Sequence, residues 1–243
     1  MALIRKIENC SYRDAARILK RLCEGMQPRS PFIPPSAPDS RFRPFTLRIP
    51  LNPVASFLQK NKAITIETAV RFETGVTERS AFLKRAIAVR LHDIHGNPIG
   101  YCGRRLDPIE IGKWGKWRFP RHLPKSDILF NAHRAACFRH QGIIVVECPW
   151  GVMRLGQAGF PNAVALLGTS LSSAQTKWLE KAPGILLMLD GDAAGRKGAE
   201  HIAASFAGKT KVVIHHLPDG FDPDDFSERQ LRSVVDQYRF FSL

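Results

Sequence analysis

Four apolar runs, GIIVVE from Gly142, AVALLG from Ala163, GILLML from Gly184 and KVVIHHL from Lys211, alternate with stretches whose apolar residues fall at helical spacing. Continuous apolar strands are buried on both faces, and strands separated by helices pair in parallel. Over 141–243 the sequence therefore predicts an α/β fold. A parallel sheet carries helices near 151–158, 172–181, 193–207 and from 227 on its two faces. Such sheets place ligands beyond the carboxyl ends of their strands.

Acidic residues stand at those ends. Glu147 closes the first run, Asp190 closes the third, and Asp192 follows one glycine later at the turn into a helix. Hard cations such as Mg²⁺ or Mn²⁺ take carboxylate oxygens and keep waters that substrate phosphates displace. Glu147, Asp190 and Asp192 are thus the expected catalytic metal ligands of a phosphoryl-transfer centre. An Asp before a helix also caps it, but a cap accounts for one of these acids and not for three. After the fourth run, LPDGFDPDDF brings Asp219, Asp222, Asp224 and Asp225, enough for a second ion. Two ions clamp the attacking and leaving oxygens of an in-line displacement.

The chain is basic, with 36 Lys and Arg against 22 Asp and Glu and a net charge of +14. Such an excess favours a polyanionic partner, nucleic acid first. Between Ile111 and Pro124, Lys113, Trp114, Lys116, Trp117, Arg118, Phe119, Arg121 and His122 interleave cations with aromatic faces. That mixture suits phosphates and stacked bases; aromatics filling a seam between subdomains, with lysines at its rim, account for it equally well.

Upstream, residues 1–27 read as a helical segment in which Ser11 and Asp14 would set a cap. Residues 28–53, with prolines at 28, 31, 34, 35, 38, 44, 50 and 53, read as a linker or arm. Residues 54–140 read as a smaller, basic α+β subdomain. It has helices at PVASFLQK and ITIETAVRF and a hairpin of IAVRLHD and IGYCGRRL about His95–Pro98. The five cysteines (Cys10, Cys23, Cys102, Cys137, Cys148) are scattered and form no Cys-x-x-Cys pair, so no zinc is expected and a reducing cytoplasm is the default. No apolar run approaches the ~18 residues of a membrane span, so no membrane partner is expected.

Three segments, VVECPWGVMRLGQAGFPNAVALLGTSLSSAQ, LMLDGDAAGRKGA and LPDGFDPDDF, resemble in order and interval the TOPRIM domain of bacterial DnaG-type primases. HGNPIGYCGRRL and GKWRFP with DILFNAHRA resemble the primase subdomain before it, so the likeness runs strongly from 90 to 226. The resemblance implies a TOPRIM-type, Rossmann-like parallel sheet. It makes Glu147 the acid assisting catalysis, Asp190 and Asp192 the principal metal ligands, and Asp222 and Asp224 the accessory ligands. Arg104, in a GGR-type turn, and Lys116 would hold nucleotide phosphates or template, joined on the basic surface by Arg105, Lys113, Trp117, Arg118, Arg196 and Lys197. Four features depart from the family. Gly151 stands where an acid usually follows the Glu by four. DILFNAHRA lacks a common lysine, for which His133 or Arg134 would substitute. The zinc ribbon and the helicase-binding domain are not expected.

The leading expectation is a primase-type nucleotidyltransferase that joins nucleoside triphosphates on a single-stranded DNA template with Mg²⁺ or Mn²⁺. A separate zinc-ribbon protein or a replicative helicase would be its partners. A TOPRIM nuclease would use the same ions for phosphodiester cleavage. A catalytically weak accessory, or a primase remnant from a mobile element, would bind nucleic acid alone.

Overall fold

The computed structural model describes residues 41–168 and 170–238, which lie in one compact unit, Ala37–Leu243. The helix expected over residues 2–24 and the arm before residue 41 lie outside the described residues.

The upstream half is an antiparallel sheet of four strands in the order β1-β2-β3-β4: β1 (Thr74–Gly75), β2 (Ala86–His92), β3 (Pro98–Arg105) and β4 (Trp117–Arg118). The expected hairpin is β2–β3. Its turn is set by the Asp93 carboxylate, which accepts from the His95 and Asn97 amides at 2.9 Å each, while Gly96 takes a left-handed φ of +90°. α1 (Ile66–Arg71) starts where Thr65 accepts from the Thr68 amide. PVASFLQK gives one wide π-helical turn, Phe57–Asn61, in place of the expected α-helix. α2 (Pro108–Trp114) begins at Asp107, which caps the Ile109 amide and is followed by proline at the first helical position. After it, β4 pairs Trp117 with Arg104 of β3.

A short helix, α3 (Ala132–Ala135), leads into the downstream sheet. β5 (Ile143–Val146), β6 (Ala163–Ala165), β7 (Gly184–Leu187) and β8 (Lys211–Ile214) lie parallel in the order β6-β5-β7-β8. Helices α4 (Pro149–Gln157), α5 (Ser173–Leu179), α6 (Ala193–Ser205) and α7 (Glu228–Val235) alternate with them. Alternation along β5 sends Ile143 and Val145 to one face, with Trp178 and Leu179 of α5 and Ala199 and Ile202 of α6. Ile144 and Val146 go to the other, packing with Val152, Met153 and Leu155 of α4 and with Leu58, Ile64, Phe72 and Ile87 of the upstream half. The two sheets thus share one core, and the carboxyl end of the parallel sheet opens toward the upstream half. The outer edge of β6 is covered where Phe130 exchanges backbone hydrogen bonds with Ala165 at 2.8 and 3.1 Å. No helix among the described residues is long and apolar enough to cross a membrane.

Candidate active site

β5 and β7 are neighbours in register, Val145 beside Leu187, so the residues just past their ends meet. Glu147 Oε1 accepts from the Asp190 amide at 3.3 Å. The close approach depends on two glycines. A Cβ on Gly195 would lie 2.1 Å from the Asp190 carbonyl oxygen and 2.9 Å from Glu147 Oε1, and one on Gly191 would lie 2.2 Å from the Pro218 carbonyl oxygen. Gly191 N–H donates to the Phe221 carbonyl at 2.8 Å, and Gly220 N–H donates back to the Gly191 carbonyl at 2.9 Å. That pair of bonds fastens the turn carrying Asp190 and Asp192 to the loop carrying Asp222 and Asp224.

Six acids thereby gather, and they differ in what they already hold. Asp192 caps α6, its Oδ1 accepting from the Gly195 amide at 2.7 Å, and is exposed. Asp224 is buried, its side chain only 1% exposed, and is paired with the Lys62 ammonium. Asp225 accepts from the Asp222 amide at 2.8 Å and so serves the 3₁₀ turn Pro223–Asp225. Asp190 is different, because its Oδ1 is buried with no hydrogen-bond partner. Burial, followed by the nearness of Glu147, Asp222, Asp224 and Asp192, pushes its pKa up to about 8. Glu147 is raised by burial and by Asp192 and Asp222, against a lowering by the Asp190 amide. Asp222 is raised by burial and by Asp224 and Asp225, against Lys62 and Lys116.

These donors suit a hard cation. All are oxygens, one is buried without a donor facing it, and their repulsion is what a divalent charge relieves. Among the described residues no three ligating side chains are closed around a point as a finished metal cage. Mg²⁺ does not need one, since it binds through one or two carboxylates, waters and substrate phosphates.

The cationic candidates divide. Arg104 lies within electrostatic reach of Asp224 and Cys148, its guanidinium 5.7 Å above the Phe57 ring. Lys116 is exposed and acts on Asp222. These two face the acids. Arg105 is spent on the main chain, Nη1 donating to the Trp114, Gly115 and Trp117 carbonyls at 3.2, 2.9 and 2.8 Å. Arg118 donates to the Phe82 carbonyl and lies 3.3 Å from Glu110. Arg196 lies 2.8 Å from Asp219, Lys197 is exposed on α6, and Lys113 sits over the Trp114 ring at 5.2 Å.

Neither expected substitute for the missing lysine presents a free cation. His133 is held neutral, its pKa lowered to about 4 by burial and by Arg134 and His92, with Nδ1 buried and unpartnered. Arg134 donates to the Arg71 carbonyl at 3.1 Å and lies 3.7 Å from Glu73.

The basic aromatic stretch divides between a buried and an exposed part. Trp117 is half-buried with its ring 5.3 Å from Trp150 of α4, filling the seam, whereas Trp114 is 64% exposed. A groove of about 1150 Å³ opens beside them, lined by Phe45, Tyr101, Trp114, Trp117, Arg118 and Lys125 among others. Sequence reasoning missed Lys62 and Cys148, whose Sγ lies 3.9 Å from Asp224 Oδ1. Their contacts span 162 and 76 positions, and nothing local in the chain signals either.

Residues 144–227 match the Toprim-like family model. The chain is 32% identical over 165 residues to the DNA primase of Aquifex aeolicus, a match covering 65% of this chain and 33% of that protein. With the DNA primase of Myxococcus xanthus it is 31% identical over 162 residues, covering 64% of this chain and 27% of the relative. It thus spans about a third or less of the length of these relatives. Among solved structures, the zinc-binding and RNA polymerase domains of the Aquifex aeolicus primase superpose with a TM-score of 0.63 at 22% identity, covering 97% of this chain and 69% of that one. A DnaG primase catalytic domain bound to single-stranded DNA superposes with a TM-score of 0.63 at 21% identity, covering 79% and 74%. With its acids at the strand ends of a Toprim-like domain, the chain is similar in sequence to bacterial DNA primases over about two thirds of its own length and has the fold of their catalytic core.

Proposed function

We propose that this chain is a primase-type nucleotidyltransferase, joining nucleotides into short primers on single-stranded DNA. The observation that carries the reading is Asp190: a carboxylate held at the end of β7 with a buried, unpartnered oxygen, its pKa raised to about 8 by burial and then by the acids around it. A side chain in that setting is suited to binding a cation. Glu147, Asp190 and Asp222 would hold Mg²⁺ or Mn²⁺, with Asp192 beside them on the cap of α6. The ion supplies positive charge to the phosphate oxygens in the displacement of pyrophosphate by a 3′-hydroxyl.

The chain's own residues do the rest. The Asp190 amide keeps Glu147 oriented beside Asp190. Arg104 and Lys116 meet the triphosphate from the upstream half, as point charges beside the acids. The groove beside Trp114 and Trp117 offers aromatic faces and the cations Arg118 and Lys125 to a single strand. The match to DNA primases and the fold shared with a catalytic domain bound to single-stranded DNA support this substrate class.

Purified protein given single-stranded template, ribonucleotides and Mg²⁺ or Mn²⁺ is expected to make short products that Asp190→Asn reduces by ~100-fold or more. Absence of product in the wild type overturns the reading. Metal-dependent loss of labelled DNA without nucleotide incorporation would replace it with phosphodiester cleavage.

A further inference from the structure

The helix α2 has no apolar reason to lie where it does. None of its residues is buried, and Ile109 and Trp114 are 82% and 64% exposed. A helix of this length is not held in water by its own hydrogen bonds, so polar contacts with its surroundings fix it. At its start Asp107 caps the Ile109 amide. Midway, Glu110 lies 3.3 Å from Arg118 of β4. At its end Arg105, the last residue of β3, gathers successive carbonyls: its amide donates to that of Lys116 at 2.9 Å, and its Nη1 to those of Trp114, Gly115 and Trp117 at 3.2, 2.9 and 2.8 Å. The Trp114 and Gly115 carbonyls stand at the helix end, where intrahelical partners run out. Gly115 makes the exit turn at a left-handed φ of +75°. The Arg105 side chain is only 13% exposed, turned to the main chain and away from solvent.

What this bracing presents is the Trp114 ring. It lines the groove with Phe119, Arg118, Arg121 and Lys125, and Lys113 Nζ lies 5.2 Å from its centroid. The other three tryptophans are not so placed, since Trp150 and Trp178 are buried and Trp117 is turned into the seam against Trp150. An exposed aromatic face among cations matches what a single strand offers, flat bases on a chain of phosphates. We propose that Trp114 is the platform on which a base of the bound single strand stacks, and that Arg105 is the positioning residue that holds it there. The inference rests on the single-strand-binding part of the reading above. It names the stacking residue, and it moves Arg105 from the phosphates to the support of the platform.

The test measures binding of the full chain to an end-labelled oligothymidylate by fluorescence anisotropy across a salt series. Tryptophan emission is read on an unlabelled strand, and thermal melts confirm that each variant is folded. In the wild type, binding is expected to quench the emission. Trp114→Ala is expected to bind about tenfold more weakly at an unchanged salt slope, because a stacking face is lost and no cation. Trp114→Phe is expected to keep most of the affinity and lose the quenching. Arg105→Lys retains the charge but cannot span three carbonyls. It is expected to weaken binding by a similar factor at the same slope, and to add nothing further when combined with Trp114→Ala, which neither a phosphate contact nor a general loss of structure predicts. Should Arg105→Lys fail to fold, Gly115→Ala, which strains the same turn, takes its place with the same expectation. Wild-type affinity in Trp114→Ala, or quenching that survives in Trp114→Phe, overturns the platform and leaves the exposed helix to a protein partner. Additive losses in the double variant overturn the positioning role. No binding by the wild type overturns the single-strand reading beneath it, whereas the expected binding pattern without primer synthesis overturns only the nucleotidyltransferase.

Discussion

Asp190 binds its proton far more tightly in the folded protein, where its pKa is about 8, than at its ordinary value of 3.8. A group shifted upward in this way lends stability that is complete below pH 4 and is lost as pH rises toward 8, because the folded state then carries the buried charge. Glu147 and Asp222 shift in the same direction. In a chelating buffer the melting temperature is therefore expected to fall between pH 6 and pH 9. Asp190→Asn should flatten that fall and melt several degrees higher than wild type at pH 9, at about 2–4 °C per kcal/mol for a domain of this size. Added Mg²⁺ should lift the wild type at pH 9 and leave the Asn variant nearly unchanged. A scanning calorimetry series shows this directly, and a wild-type midpoint that rises from pH 6 to pH 9 in chelator contradicts it. The acid's place at a strand end was legible from the run that precedes it. Its want of a partner was not, because that depends on Glu147, Asp222 and Asp224 arriving from two other loops.

At the scale of elements, the parallel strands and their helices could be read because both faces of the sheet are buried and the apolar runs are unbroken. β1 and β4 could not, since two residues show no period, and what defines them is pairing with β2 and β3. The joint between the halves was equally hidden. Glu73, at a left-handed φ of +50°, lies 2.7 Å from Arg90 and 3.1 Å from His92 of β2 and 3.7 Å from Arg134 at α3, with Arg48 at 4.0 Å. One carboxylate thus meets basic side chains from three segments. Glu73→Gln is expected to cost about 2 kcal/mol by leaving a mostly buried Arg90 without its counter-charge. Chemical denaturation would measure it, and a loss below ~0.5 kcal/mol would show that the Gln amide oxygen satisfies the cluster.

For the molecule as a whole, a net charge of +14 coexists with a knot of acid at the end of the parallel sheet. Several of the arginines that make up the excess are tied internally, Arg105 to three carbonyls, Arg154 to two and Arg118 to Glu110 and Phe82. Sequence charge therefore overstates the cationic surface left exposed, a distinction no composition can make. Binding of single-stranded DNA should weaken with salt at a slope set by the few exposed cations beside the groove and the acids, about −0.7 per phosphate neutralised. Lys116→Ala is expected to reduce the slope of log K against log[salt] by about that amount, and fluorescence anisotropy across a salt series reads it. An unaltered slope would place Lys116 off the strand's path.

The reciprocal bonds between Gly191 and the Gly220–Phe221 segment give the acid centre a mechanical character of its own. Neither loop can swing away without taking the other's hydrogen bond with it, so the two behave as one clasp rather than as two flaps. Opening is then expected to be all or nothing: the amide protons of Gly191 and Gly220 should share a single exchange event, and a ligand bridging Asp190 and Asp222 should slow the exchange of both together.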